Sequence, residues 1–340
     1  SLFSLLSMMS RQQSGSRESA SSKYPQVAVV YAVGPIEMGS NDGMGFSSEE
    51  VIASEYFIET LEEIRTDKKI KAVILRVNSP GGSAFASDLI WKKIEELKKE
   101  KPVIATMGDV AASGGYYIAM GANKIIAQAG TITGSIGVVG GKPNLSGLYE
   151  KLGINKETIS RGDYADIYSE TSEFSSRQRE TIERMMKRTY DEFVGKAAEG
   201  RRMPKERLYE VAEGRIWSGA RAKKVGLVDE IGGMGTAIAE VKKVLGMKQE
   251  EKVALVAYPK EMGLFEFLQK AMGTGTSARA ALPVQALTGM TGGGDAASMA
   301  TLWSTLPSGL RQALSNAVAV GRMFQREQVL AVMPALPQLR

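Results

Sequence analysis

Between Gln26 and Tyr258 the chain alternates short, apolar, β-branched runs with stretches of helical spacing, and that alternation leaves few folds open. Residues 26–33 (QVAVVYAV), 71–77 (KAVILRV), 102–107 (PVIATM) and 124–127 (KIIA) read as buried strands. Further extended pieces are expected over 133–139, 156–160 and 252–258. The signals Ser47–Ser48–Glu49–Glu50 open a helix that should run to about Arg65. Helical spacing also covers the stretch from Gly82 to Glu100, a short helix ending over 118–122, and residues 145–152, 175–199, 204–213, 220–224 and 234–245. Strands and helices in this order predict an α/β fold around a mostly parallel sheet with right-handed crossovers.

The flanks differ. Residues 1–23 read as a linker or disordered lead-in: 1–9 are apolar but fall short of the roughly 20 residues that span a bilayer, and 11–22 are Ser-rich. A chain beginning at Ser1 suggests a processed product or fragment that a missing segment tethers to a membrane. Residues 24–262 form the α/β domain, and 263–340 a flexible extension. Within that extension 273–298 are loop-like and Leu310 to Val329 suggests an amphipathic terminal helix.

Composition narrows the chemistry. With no His and no Cys, the chain cannot build a Ser-His-Asp or Cys-His unit, a His/Cys zinc site or a disulfide. No acidic cluster has metal-ligand spacing, and no cofactor is expected. A net charge of +5 on 340 residues does not argue for nucleic acid. Any acid–base or nucleophilic chemistry must use Ser, Thr, Tyr, Lys, Asp, Glu, a terminal amine or a metal held by oxygen.

Two glycine-bearing turns qualify. In Asn78–Ser79–Pro80–Gly81–Gly82–Ser83, between a strand and a helix, paired glycines let backbone N–H groups face a cavity; a plain tight turn is the simpler reading. In Gly108–Asp109–Val110–Ala111–Ala112–Ser113–Gly114–Gly115–Tyr116–Tyr117 a serine among small residues follows a strand and opens a helix, where the dipole favours an oxyanion. Ser113 could instead merely cap that helix. About thirty residues apart, both turns fall at the carboxyl ends of parallel strands, where open α/β sheets hold ligands. Gly82 and Gly114 N–H groups could then form an oxyanion hole beside Ser113. Tyr116 and Tyr117 should pack the following helix.

These two segments, with Thr133–Gly134–Ser135–Ile136–Gly137 and Gly214–Arg215–Ile216–Trp217–Ser218–Gly219, resemble the signal peptide peptidase A (protease IV) family over residues 24–245. The resemblance implies a Clp/crotonase-like spiral of βαβ units and a serine endopeptidase that degrades cleaved signal peptides and other short hydrophobic peptides. It implies Ser113 as nucleophile, Gly82 and Gly114 as oxyanion donors, and peptide bound beside Gly81, Ser83, Ser135 and Ile136. It also implies a ring-shaped oligomer at the extracytoplasmic face of the bacterial inner membrane. The family's base is a lysine, which burial or nearby positive charge must bring down from a pKa of about 10.4.

At the matching position, in Gly162–Asp163–Tyr164–Ala165–Asp166–Ile167, this chain has Ala165. Three explanations stand: the chain resembles the C-terminal half of a double-length member whose N-terminal half or neighbouring subunit brings the lysine; Ala165 was engineered; or the protein is naturally non-catalytic or differently activated. Lys142 could approach the cleft, or be a solvated loop residue. Two other functions stay open. One is a non-catalytic peptide-binding or assembly partner. The other is an acyl-CoA-handling crotonase-type enzyme, for which Asp88 and Asp109 are the acids near the turns.

Overall fold

The computed structural model describes residues 23–40, 51–259 and the backbone of Val329–Val332. In the main sheet, strand β1 (Gln26–Val33) lies parallel to both β4 (Ile70–Ser79) and β12 (Ala254–Tyr258). On the other side of β4 runs β6 (Val103–Ala112), again parallel. The first half of β6 pairs with β7 (Lys124–Ala127) and its second half with β8 (Ile132–Gly134), so the sheet forks along this strand. β11 (Glu230–Ile231) extends the β7 branch in parallel, and β10 (Ile216–Ser218) closes the β8 branch antiparallel.

Alternation along β1 explains the apolar runs. Val27 and Val29 pack with Ile74, Ile104 and Ile126 beneath helix α8 (Met234–Val244), through its Ala237 and Val241. Ala28, Val30 and Ala32 belong to the larger core on the opposite face. That core holds Phe57, Leu61 and Ile64 of α1 (Ser54–Thr66), Ile90, Ile94 and Leu97 of α2 (Ala84–Lys98), and Tyr116 and Tyr117 of α3 (Gly114–Ala119). A strand covered on both faces has no side to give to polar residues. The expected α/β class with a mostly parallel sheet is the one observed.

The remaining helices are α4 (Ser146–Lys151), α5 (Ser176–Arg201), α6 (Lys205–Val211) and α7 (Gly219–Lys224). α5 starts at a reciprocal capping box: Ser175 Oγ accepts from Gln178 N–H, and the Gln178 side chain accepts from Ser175 N–H. A second sheet has the order β3 (Ile52–Ala53), β2 (Ile36–Glu37), β5 (Gly81–Ser83), β13 (Val329–Val332), β9 (Val139–Gly140). Residues 24–259 and 323–340 form one compact unit, which contains both sheets.

Several expectations need correction. Residues 47–50 lie outside the described residues, and Ile52–Ala53 is a strand, so α1 begins only at Ser54. β6 continues through Ala112 where a turn was expected from Gly108, because β8 supplies its second half with a partner. The extended piece over 133–139 is two strands, broken where Ser135 adopts φ 48°. Residues 156–160 form no strand and are exposed. The proposed helix from Leu310 to Val329 lies outside the described residues except Val329, which begins β13. Residues 1–22 of the expected lead-in (1–23) and the expected loop (273–298) also lie outside them.

Candidate active site

Ser113 is the residue at which β6 ends. Its N–H donates to Gly134 O at 2.9 Å, the final link to β8, and its backbone then turns into α3 at φ 53°, ψ −116°. A non-glycine residue held there costs on the order of 1–3 kcal/mol. Its hydroxyl makes no cap bond, which removes the simplest alternative for this serine. The side chain is fully buried and Oγ has no hydrogen-bond partner. Gly114 opens α3, so its N–H is among the first-turn amides that lack a partner inside the helix. α3 is only six residues long, so the dipole expected there is short.

The two glycine turns do meet. Ser79 pairs with Ala111 across β4 and β6, and a Cβ at Gly115 would lie 2.5 Å from Ser79 O. Gly81 has φ 100°, and its N–H donates to Ser79 Oγ at 3.2 Å. Gly82 is pressed against β2: a Cβ there would lie 2.0 Å from Ile36 O, so only glycine fits. Ser83 is placed differently from a free rim hydroxyl, because its Oγ accepts from Ala86 N–H at 3.0 Å and caps α2. Its carbonyl accepts from Ser87 Oγ at 2.7 Å, and its backbone pairs with β13.

Ser135 and Ile136 are clamped to the Gly214–Arg215 segment. Ser135 N–H donates to Arg215 O at 2.8 Å, and Ile136 O accepts from Gly214 N–H at 2.9 Å. Both side chains are buried, and Ser135 directly follows the residue whose carbonyl holds Ser113. Ala165 sits in an exposed turn, where its N–H donates to Gly162 O at 3.3 Å. Lys142 is not the solvated loop residue it resembled: Nζ is buried without a hydrogen-bond partner, 4.6 Å from the centre of the Phe174 ring. Burial holds its pKa below the usual lysine range, against the opposing pull of Asp166.

Two residues matter here that the sequence reading passed over. Asn78 Oδ1 accepts from both Asp109 N–H and Val110 N–H at 3.1 Å, bridging the irregularity between β4 and β6 just before the serine. Thr133 Oγ1 donates to Ala111 O at 2.7 Å from the other side. The available signal was a side-chain amide immediately before Ser-Pro-Gly-Gly at a strand end. Behind the site, Tyr116 OH donates to Leu227 O at 2.9 Å and Tyr117 OH to Asp88 Oδ1 at 2.8 Å. Burial pushes both phenols well above their ordinary pKa. Lys196 also pairs with Asp88, so that carboxylate is already engaged. Among the described residues no acidic or other group could hold a metal ion, and no helix is long and apolar enough to cross a membrane.

An α/β protein that presents an unpartnered serine hydroxyl at positive φ on a strand-to-helix bend fits the class whose chemistry runs through a hydroxyl nucleophile. The model of peptidase family S49 matches residues 95–248, which include Ser113, Ser135 and Ala165 but not the Gly81–Ser83 turn. The chloroplastic serine protease SPPA of Arabidopsis thaliana is 46% identical over 232 residues, 68% of this chain and 34% of its own length. A candidate protease of Methanocaldococcus jannaschii is 37% identical over 228 residues, 67% of this chain and 73% of its own. A candidate signal peptide peptidase of Enterococcus faecium is 40% identical over 197 residues, 58% and 57% of the two chains. The chain belongs to peptidase family S49, and it spans about a third of the Arabidopsis relative's length.

Proposed function

We propose that this chain is the nucleophile-bearing part of a serine endopeptidase that degrades short hydrophobic peptides, cleaved signal peptides among them. The observation that carries the reading is Ser113 itself: a strained backbone, an uncommitted hydroxyl, and a place at the junction of two glycine turns in a peptidase-family chain. Ser113 Oγ attacks the peptide carbonyl carbon while its proton passes to a neutral lysine Nζ. The oxyanion lies against the Gly82 and Gly114 amides. The lysine then protonates the leaving amine, and water hydrolyses the acyl-enzyme. Each oxyanion donor is worth about 2.7–4 kcal/mol.

Ala165 cannot serve as base, so the lysine comes from another domain or a neighbouring subunit. Residues 150–165 are exposed throughout and α4 buries nothing, which leaves this segment open to such a partner. On the family resemblance alone, the same reading takes the protein as a ring-shaped oligomer held at the outer face of the bacterial cytoplasmic membrane; one relative is named as a signal peptide peptidase.

A second reading has its own observation: the buried, unpaired Lys142, whose lowered pKa suits a base within this chain. The non-catalytic scaffold rests only on Ala165. The acyl-CoA reading loses one of its two acids, since Asp88 is held by Tyr117 and Lys196, while Asp109 is exposed.

The test is peptide hydrolysis and fluorophosphonate labelling, with and without a lysine-bearing S49 partner. Labelling at Ser113 and a loss of at least about a thousandfold in Ser113→Ala are expected. Undiminished hydrolysis in Ser113→Ala sinks the assignment. Activity that appears only on mixing points to the partner's lysine, whereas activity of the chain alone that vanishes in Lys142→Ala selects the second reading.

A further inference from the structure

The two amides assigned to the oxyanion come from different elements, Gly82 from β5 and Gly114 from the start of α3. Such a pair works only while its spacing is held. Each amide is tied to a helix. Ser83, the residue after Gly82, is bonded twice to α2: its Oγ accepts from Ala86 N–H at 3.0 Å, and its carbonyl accepts from Ser87 Oγ at 2.7 Å. Ser113, the residue before Gly114, is bonded to α3 through its carbonyl, which accepts from Tyr117 N–H at 2.8 Å. Next to Ser87 stands Asp88, and its Oδ1 accepts from the hydroxyl of that same Tyr117 at 2.8 Å. An unbroken path of bonds therefore joins one amide to the other through α2, Asp88 and Tyr117.

α5 supports the middle of this path. Lys196 donates to the same Asp88 oxygen, and its ammonium lies 4.6 Å from the centre of the Trp91 ring and 5.8 Å from that of Tyr117. The cation offsets the charge of a carboxylate that is only partly in water. Phe193, three residues earlier on α5, stacks on Tyr117 with 4.4 Å between ring centres. We infer that Asp88 and Tyr117 are positioning residues: their bond sets the spacing of the Gly82 and Gly114 amides and so tunes transition-state binding. This rests on the peptidase reading above. α3 needs such an anchor, because six residues are too few for a helix to hold its own first turn. The close approach of Gly115 to Ser79 O fixes where α3 begins, and Tyr117 fixes how it is turned about that point.

The probe is an apolar peptide boronate, compared with the amide of the same peptide, on the full chain together with the lysine-bearing partner of the activity test. Ser113 Oγ forms a bond to trigonal boron and its proton passes to the base. The adduct is a tetrahedral anion with a boron-bound oxygen facing the two amides. Tyr117→Phe removes the hydroxyl and keeps the ring against Phe193. Its boronate affinity and its kcat should each fall at least about tenfold, while KM and the amide's Kd stay within about twofold. Asp88→Ala should match it, and the double variant should lose no more than either alone. Asp88→Asn, which can still accept through Oδ1, should recover most of the loss. A bond that merely supports the fold would lower Tm and leave the ratio of boronate to amide affinity where it was. An unchanged ratio in Tyr117→Phe, or additive losses in the double variant, therefore overturns the inference alone, provided the parent protein prefers the boronate and Ser113→Ala abolishes that preference. A parent that binds boronate and amide equally, or a preference that survives Ser113→Ala, sinks the peptidase reading and this inference with it.

Discussion

At the scale of single residues, the backbone of Ser113 carries a cost that suits the nucleophile proposed for it. Glycine tolerates φ 53° without strain, whereas alanine does not. Ser113→Gly should therefore be more stable than Ser113→Ala by about 1 kcal/mol, read as a higher Tm, though both lack a nucleophile. Equal melting temperatures would show that the bend stores no strain. Asn78→Ala frees two amides beside the bend and should cost about 1–3 kcal/mol in denaturant unfolding, because Asp109 and Val110 lose their acceptor. Asn78→Asp, which keeps an acceptor at Oδ1, should recover most of it. Sequence reading reached Ser113, both glycine turns and the tyrosines behind them. It did not reach Asn78, whose role exists only once two strands lie side by side, nor the capping duty of Ser83, which depends on where α2 begins.

Among elements, α1 and α2 are tied by charge as well as by their buried leucines and isoleucines. Glu62 lies 2.6 Å from Arg65 on its own helix and 2.5 Å from Lys93 on the neighbouring one. The hydrogen bond from Arg65, then that from Lys93, lower its pKa from an ordinary 4.5 to about 2. A carboxylate whose folded pKa is depressed stabilises fully above its unfolded value and loses that contribution as pH falls from about 4.5 through about 2. Glu62→Gln should thus be less stable than the parent protein near neutrality, and the gap should close across that window in urea titrations at stepped pH. A gap that does not change with pH would mean the pair contributes nothing. Strands flanked by apolar runs were legible because both faces of the main sheet are covered. Element ends were less so: β6 outruns its expected stop because its second partner, β8, lies twenty residues away in sequence, beyond the reach of local pattern.

For the whole molecule, the outstanding question is where the base lies. Ala165 stands in an exposed turn beyond a helix with no buried residue, so its surroundings are completed by something outside the described chain in the reading favoured here. If copies assemble so that this turn reaches a neighbour's nucleophile, Ala165→Lys should create peptidase activity that depends on protein concentration. Mixing Ala165→Lys/Ser113→Ala with the parent chain should then restore activity that neither shows alone. Silence in the mixture would exclude that route and leave the separate lysine-bearing domain. That Ala165 stands where the resemblance implies a lysine is a reading of the residues alone; that a distant strand would lie against Gly82 was not legible there, because strand pairing over more than two hundred residues leaves no trace in local spacing.

The fork in β6 divides its labour along a single strand. Ile104 to Thr106 are committed to β7 and the packed interior, while Val110 to Ala112 belong to β8 and end at the serine. Evolution can therefore retune the reactive end of that ribbon, by adjusting β8 and the residues clamped to it, while the foundations that keep the molecule folded stay where they are.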